Sequence, residues 1–402
     1  MLYGVIINGI NTLDEYGLLL CADLKISEPK LKENRIDIPG GDGSLNMSYA
    51  PQGIAVYYDR EITFTLFKSM GEEERDELVT TLRNAWHGLE VDLILPNDTR
   101  HYWHGVISFG DISDYNAGKI PVKMTAEPYK HRIQETAIYV NPGNNKNLYP
   151  YYDSFEDVSN DEVSYSNSPN LSISVITTTV PKQGTKVLRC ITNTDVSNSY
   201  MYLGAASKNY GQVCLPPGKY VASFYVIRQS GEETLSMRTI VYGRRVRSPV
   251  WADSSLYKGY NGVVTSIPTS LAWPTRVEIP FTVVSDYPYV CIRLQFLTPS
   301  STYYIDCMQI ERINEGQSAS EWVPHSETDG TSVVTLQNSD REVVAPSVSA
   351  TASANLAWSG YSVSISESAS IKIPQLVLER GRVSVSVQSA GLVAFIYREG
   401  SL

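Results

Sequence analysis

Asn141–Asp157 reads NPGNNKNLYPYYDSFED, a polar, glycine-containing run without apolar period that breaks off into aromatics. A linker between consecutive domains and the interruption of one domain by another would both look like this, and they give different folds. Before it, GLLLCADLKISEP, REITFTLF, VDLILP, WHGVISF, IPVKMTAEP and ETAIYV alternate apolar or β-branched residues between Gly, Pro, Asn and Asp, which is the pattern of strands. After it the chain turns rich in Tyr, Ser and Pro, with strand-like runs such as LSISVITT, TKVLRCI, KYVASFYVIR, LSMRTIVYG, TRVEIPFTVV, YVCIRLQFL and YYIDCMQIERI. Turn signals recur about every ten residues, the rhythm of an all-β sandwich or jelly roll. That texture ends at EGQSASEWVPHSETDG, beyond which SVVTLQN, YSVSIS, IKIPQLVLE, RVSVSVQ and LVAFIYRE alternate again. The residues after Gly330 are too few for a sandwich with a sizeable core of its own. The tail therefore needs a strand from elsewhere.

One segment breaks the strand pattern. In SMGEEERDELVTTLRNAWHG, Ser69 can cap a helix with Glu72 three residues on as in a capping box, and acidic side chains crowd the positive end of the dipole. Leu78, Leu82 and Trp86 fall at i, i+4 and i+8 with Val79 and Ala85 beside them, and Gly88 supplies a stop. The spacing predicts one amphipathic helix packed on a sheet, with Trp86 in the core.

A chain of 402 residues divides into two to four compact units. It is 42% hydrophobic and 19% charged, so real cores can form, and no run approaches the roughly 20 apolar residues of a membrane span. The N-terminal sequence has no basic n-region or small-residue cleavage site, so no secretory signal is expected. Cys21, Cys190, Cys214, Cys291 and Cys307 are widely spaced, odd in number and mostly set in apolar alternation, which reads as buried free thiols without a zinc site. The net charge of −10 is uneven: residues 1–140 hold 13 basic and 21 acidic side chains, 141–325 hold 15 of each, and 326–402 hold 5 and 7. An acidic chain without a basic stripe argues against nucleic acid as partner. The one basic cluster, YGRRVRS with Arg244, Arg245 and Arg247, reads as a solvated loop in preference to an anion-binding patch.

Nucleophile, P-loop and zincin motifs are missing. His101 and His104 lie on a predicted strand at an odd spacing that sends them to opposite faces, so they do not share a metal. GGDGSL reads as a tight turn, since no helix follows it. The central segment holds 16 of the 27 tyrosines, and flat rings offer sugar C–H faces an apolar platform. Tyr151, Tyr152, Trp251, Tyr257, Tyr260 and Trp273, in loop-like surroundings, are the candidate carbohydrate-binding residues. A carboxylate pair for glycoside hydrolysis could be drawn from Asp153, Glu156, Asp157, Asp253 or Asp306, but sequence does not fix the separation such chemistry needs. No enzymatic activity is expected.

Both ends of the chain are similar to a known family. GVIINGINTLDEYGLLL, IDIPGGDGSLNMS, REITFTLF, the helix, HGVISF and IPVKMTAEPYKHR resemble the N-terminal belt domain of distal tail proteins of long-tailed, non-contractile bacteriophages. SVVTLQNSDREVVAPSVSATA, IKIPQLVLERGRVSVSV and VAFIYREGSL resemble the second half of that family's galectin-like β-sandwich, whose first strand corresponds to ETAIYV. The resemblance implies an insertion of about 185 residues between them, similar to carbohydrate-binding modules at NLYPYYDSFED and at YYIDCMQIERINEGQSASEWVPH. Such modules often hold a structural calcium ion between their termini, and Glu156 and Asp306 occupy the comparable places.

The expected fold is mainly β: a belt β-sandwich with one α-helix over residues 1–132, a galectin-like β-sandwich from 133–144 and 327–402, and an inserted jelly roll over 145–326. The expected function is that of a virion structural protein at the distal tip of the tail. Six copies would form a homo-hexameric ring joining the tail tube protein to the tail-tip protein, and the insert would bind host cell-wall or surface polysaccharide. The alternatives are a glycan hydrolase built on the insert, or an insert that is only a spacer or protein-binding domain. No cofactor beyond calcium, no nucleic acid and no membrane are expected.

Overall fold

The computed structural model describes the chain except residues 1–2, 41, 49–54, 112–117, 144–145, 150–154, 157–163, 166–169, 180, 198, 204–211, 229–233, 247–256, 268–273, 327, 341 and 402, and except the side chains of residues 164–165, 228, 257 and 369. The first unit contains β1 (Ile6–Ile7), β2 (Ile10–Asn11), helix α1 (Thr12–Tyr16), β3 (Leu19–Leu20), β4 (Lys25–Ile26), β5 (Arg35–Asp37), β6 (Ser44–Asn46) and β7 (Arg60–Phe67). Helix α2 (Glu72–Trp86), β8 (Glu90–Ile94), β9 (His101–Phe109), β10 (Lys119–Ala126) and β11 (Lys130–Arg132) complete it. Its main sheet runs β2-β1-β8-β9-β10-β7-β3, with β4 on β7. Strict alternation in REITFTLF buries Ile62, Phe64 and Leu66 on one face, where α2 lays Val79, Leu82 and Trp86.

Two details differ from the sequence reading. A second, five-residue helix, α1, is capped by Asn11, whose side chain accepts from Leu13 N. The long helix starts at Glu72 with Gly71 as N-cap and no side-chain cap, so Ser69 forms no capping box. Lys68, just past β7, is still tied to the neighbouring chain, its N–H donating to Gly118 O, which holds it extended one residue before Ser69. Glu72, Glu73 and Glu74 are left to satisfy the positive end of the dipole.

β12 (Thr136–Val140) follows, and then the central strands: β13 (Ser164–Tyr165), β14 (Leu171–Thr177), β15 (Lys186–Thr192), β16 (Tyr200–Leu203), β17 (Val213–Cys214), β18 (Gly218–Arg228), β19 (Leu235–Arg244), β20 (Tyr257–Ile267), β21 (Thr275–Val283), β22 (Tyr289–Phe296) and β23 (Thr302–Arg312). They make two sheets, β13-β16-β22-β19-β20 with β17 on β22, and β14-β15-β23-β18-β21. Leu188, Met201, Phe224, Met237, Ile279, Ile292, Leu294 and Ile305 fill the space between them, and Leu148, Tyr149 and Phe155 join that core. This is a β-sandwich.

The last strands are β24 (Gly330–Asn338), β25 (Ser347–Ala350), β26 (Ala354–Trp358), β27 (Tyr361–Ile365), β28 (Ser368–Lys372), β29 (Gly381–Ser389), β30 (Val393–Tyr397) and β31 (Gly400–Ser401). One sheet is β24-β29-β26-β27; the other is β12-β30-β25-β28, so a strand preceding the central sandwich pairs with one nearly at the end of the chain. The ladder runs in register from Thr136↔Tyr397 to Val140↔Val393. Here is the strand from elsewhere that the tail needs. β31 then pairs with β11, which also pairs with β9 of the first unit.

The two crossings beside the central sandwich touch. A Cβ on Gly330 would stand 1.9 Å from Pro142 O, and one on Gly143 would stand 2.8 Å from Ala390 O and 2.9 Å from Thr328 O. Only glycine allows backbones that close. Deeper in, the buried Asn147 ties entry to exit. Its Nδ2 donates to Met308 O (3.0 Å) and Val323 O (3.2 Å), and its Oδ1 accepts from Tyr149 N (3.0 Å) and Ile310 N (3.2 Å). His325 Nδ1 reaches the Asn147 carbonyl at 2.7 Å.

Candidate functional site

A sandwich has two outer faces, and here the middle of one of them is covered. Strand β23 is buried at nine successive positions, and residues 319–323 lie over its Met308–Glu311 end. Ser320 donates through N and Oγ to Glu311, Val323 N donates to Gln309 Oε1 (3.0 Å), and Trp322 Nε1 donates to Met308 O (3.3 Å). The Arg276 guanidinium donates to Ser320 O and Ser223 Oγ, and Ala319 N donates to Glu278 (3.2 Å).

The turn at 182–186 closes the same side through two carboxylates. Asp306 Oδ2 accepts from Lys182 N (2.8 Å) and Gln183 N (3.0 Å), and Glu156 Oε1 accepts from Thr185 N (2.7 Å) and Lys186 N (2.6 Å). Burial pushes Asp306 up to about 6 despite those donors. For Glu156, burial acts upward as well, but the N–H groups of Lys186 and Thr185 outweigh it and hold the carboxyl below its ordinary value. These are the residues expected to hold calcium. They do meet one segment of chain, yet main-chain N–H donors face the oxygen lone pairs that a cation shell of six to eight oxygens would use. Among the described residues no group of three or more His, Cys, Asp or Glu could hold a metal ion. The pair as it stands is a staple for the turn and does not fit calcium.

The other outer face, on the β16-β22-β19 sheet, carries aromatic and basic residues. Met237, Val241, Ile292 and Leu294 point into the core, so alternation turns Arg238, Tyr242 and Arg244 of β19 and Arg293 and Gln295 of β22 outward. The Arg293 guanidinium lies 5.2 Å from the Tyr200 ring centroid and 5.5 Å from that of Tyr242, and Tyr200 and Tyr202 meet edge to face at 5.9 Å. Burial pushes the Tyr202 hydroxyl up to about 12, against the pull of Arg293. Arg244, expected in a solvated loop, is the last residue of β19 and fully buried at one end of this face. The strand's alternation simply runs into the arginine cluster, of which Arg245 is exposed and Arg247 lies outside the described residues.

Of the six aromatics singled out from sequence, Tyr151, Tyr152, Trp251 and Trp273 lie outside the described residues. Tyr257 begins β20 opposite Arg244, its side chain again outside the description. Tyr260 is an extra residue in a β-bulge: Val241 pairs with Asn261 and Tyr242 with Gly259. Its ring stacks on Phe281 at 6.1 Å, and its hydroxyl donates to Tyr287 O (2.6 Å). Burial raises that hydroxyl to about 12. Tyr260 thus packs against the core. Sequence reasoning missed Tyr200, Tyr202, Tyr242 and Arg293, although YMYL, TIVYGR and CIRLQF show their outward positions once the apolar phase is fixed.

A second feature lies in the first unit. β5 and β6 form a two-stranded sheet of their own. Ile36 (52%), Ile38 (49%) and Leu45 (53%) on this arm remain about half exposed. His101 and His104 pair separately, with Asp98 and Asp92, each at 2.8 Å. The five cysteines are free and four are buried. No helix among the described residues is long and apolar enough to cross a membrane.

No family model matches the sequence. No curated protein matches it. Among solved structures, the chain is similar to the Dit (gp 19.1) protein of phage SPP1, described as a paradigm of the hub adsorption apparatus in Gram-positive infecting phages. That likeness is at 11% identity with a TM-score of 0.27, over 76% of this chain and 98% of that one. It is also similar to the CBM22-1 xylan-binding domain of Paenibacillus barcinonensis Xyn10C, at 15% identity and TM-score 0.29, over 41% of this chain and 94% of that one. A third likeness is to TmCBM61 in complex with β-1,4-galactotriose, at 17% identity and TM-score 0.27, over 42% and 99% of the two chains. At scores this low, the functional reading rests on the chain's own residues and geometry.

Proposed function

We propose that the chain is a distal tail protein, a structural component of a phage tail tip, whose inserted β-sandwich binds a host cell-surface glycan. The domains in this reading are a belt at 1–132, a host sandwich from 133–144 and 327–402, and an insert at 145–326. The observation that carries the glycan part is the asymmetry of the insert. Its own exit segment covers the middle of one outer face, while the other presents Tyr200 and Tyr242 around Arg293, with the buried Tyr202 edge to face against Tyr200. Stacked rings with polar groups between them suit a sugar chain lying across the strands.

Binding, not hydrolysis, is the activity proposed. Glycoside hydrolysis needs two carboxylates flanking the bond. Glu156 and Asp306 are engaged by main-chain N–H groups on the covered side, and Asp153, Asp157 and Asp253 lie outside the described residues.

For assembly, the supporting observation is the β5–β6 arm. An isolated hairpin is marginal in water, and one with half-exposed isoleucines and leucine gains from a partner surface. We assign that partner to the next copy in a homo-hexameric ring at the distal end of the tail, between the tube protein and the tail-tip protein. Head-to-tail contacts of this kind close into rings, and six weak glycan sites on one ring gain by avidity. Light scattering on the full-length protein tests the ring: a sixfold particle mass is expected, and a strict monomer at high concentration would contradict it. Binding of the full-length protein to purified surface polysaccharide, lost in Tyr200→Ala, tests the glycan face.

A further inference from the structure

The sheet that bears the open face has an unusual charge. Its six strands, β13, β16, β17, β19, β20 and β22, contain Arg238, Arg244, Lys258 and Arg293 and not one Asp or Glu, in a chain of net charge −10. The opposite sheet mixes signs: β18, β21 and β23 hold Lys219, Arg228, Arg276 and Arg312 with Glu278, Asp306 and Glu311. Elsewhere some exposed cations find carboxylates, as Lys123 does in Glu61 (2.5 Å) and Lys219 in Glu315 (2.9 Å). Among the described residues Arg238 and Arg293 make no ion pair, and Arg293 Nε has no hydrogen-bond partner.

Register brings these groups together. Arg293 stands across from Tyr202 on one side and Ile240 on the other, while Arg238 stands across from Gln295, which pairs with Tyr200. Three tyrosines and two arginines therefore share a few adjacent rows. Half-burying a guanidinium costs solvation. The ring faces of Tyr200 and Tyr242 and the Tyr202 hydroxyl, to which Arg293 donates, offset part of that cost, and the donors not engaged there are left for an oxyanion that suits a guanidinium. A neutral sugar would engage the rings and leave the arginines unused.

We infer that the open face takes an anionic glycan, a polysaccharide bearing carboxylate or phosphate groups, with Arg293 and Arg238 on the charges and Tyr200 and Tyr242 on the sugar rings, the buried Tyr202 backing them. This inference rests on the reading of the insert as a glycan-binding sandwich.

The test uses the full-length protein against polygalacturonate, hyaluronate and poly(glycerol phosphate), with methyl-esterified polygalacturonate and dextran as neutral counterparts. At least one anionic polymer should bind about tenfold or more tighter than the neutral ones, weaken as salt screens the charges, and lose about tenfold in Arg293→Gln and in the exposed Arg238→Gln. Which polymer binds separates carboxylate from phosphate recognition. Equal binding of neutral and charged polymers, reduced by Tyr200→Ala but unmoved by salt or by the arginine variants, overturns the inference and leaves the glycan reading standing. Binding of none of them overturns both. Arg238→Gln lies at an exposed position, so its result stands even where Arg293→Gln disturbs the fold.

Discussion

The Arg312 guanidinium lies 3.4 Å from the ring centroid of Tyr139, joining the end of the central sandwich's last strand to the strand that precedes the sandwich. The Tyr139 hydroxyl donates to Pro217 O, Cys214 N donates to Glu367 Oε1 (3.0 Å), and Leu392 packs into the central core. The two sandwiches are thus bonded at several points besides their shared chain, which fixes how the open face is presented. Tyr139→Leu removes the cation–π contact and the hydroxyl together. It should cost about 1–2 kcal/mol and raise proteolysis at the crossings, with the fold of each sandwich kept. Limited proteolysis with mass spectrometry checks this; an unchanged cleavage rate would show that the contact does not hold the units.

Asn147→Ala tests the tether. The substitution removes the amide that donates to the carbonyls of Met308 and Val323 and accepts from the N–H groups of Tyr149 and Ile310, at a fully buried position, and Met308 O keeps Trp322 Nε1. A loss on the order of 3 kcal/mol or more is expected in urea unfolding, confined to the central sandwich. Gly330→Ala should be at least as damaging and should extend to the C-terminal sandwich, because the added methyl meets backbone at Pro142 that has no room to move.

The pH dependence of the central sandwich should carry the mark of Asp306. Its folded pKa, about 6, stands above the ordinary 3.8, so the folded state holds the extra proton between those values. Its contribution to stability is therefore fully present below about pH 4 and is lost as pH rises through about 6. Glu156 has the opposite sign, gaining as pH rises, but it is more exposed and its effect is smaller. Urea unfolding across this window should show wild type falling relative to Asp306→Asn by roughly 2–3 kcal/mol, with no further change above it. A constant difference from acid to neutral pH would contradict the burial argument.

Assembly should depend on the arm. Ile36→Asp with Leu45→Asp places charges where two half-exposed apolar side chains now sit, outside the core of the first unit. The variant should keep its melting temperature within about a degree, since surface changes away from packed features are close to neutral. It should run as a monomer in sedimentation where the wild type runs as a ring. A ring that persists would move the contact to another surface.

The interruption of one sandwich by another was legible because strand patterning is local: ETAIYV has the apolar alternation of an unfinished sheet, and the sequence after Gly330 lacks one strand. Long-range geometry was less legible. Tyr260 looked like a loop platform, but a bulge turns its ring to the core, and a one-residue insertion leaves no trace in composition. Asp306 and Glu156 looked like cation ligands because two acids near the ends of a sandwich carry no mark of which donors they meet; the N–H groups of 182–186 come from a turn more than 100 residues from Asp306 in sequence. The RRVR run suggested a loop because charge outweighed the alternation that carries β19 as far as Arg244.

The central claim is that the inserted sandwich is the glycan-binding part of an otherwise self-sufficient structural protein. Labelled full-length chain and a chain lacking residues 145–326, each applied to intact candidate host cells with and without their surface polysaccharide, test it most directly. The account predicts that the excised chain folds, because β12 still pairs with β30 and the chain ends at Pro142 and Gly330 already touch. It also predicts that only the full-length chain binds, and only where the polysaccharide is present. Equal binding by both chains, or binding indifferent to the polysaccharide, would contradict it.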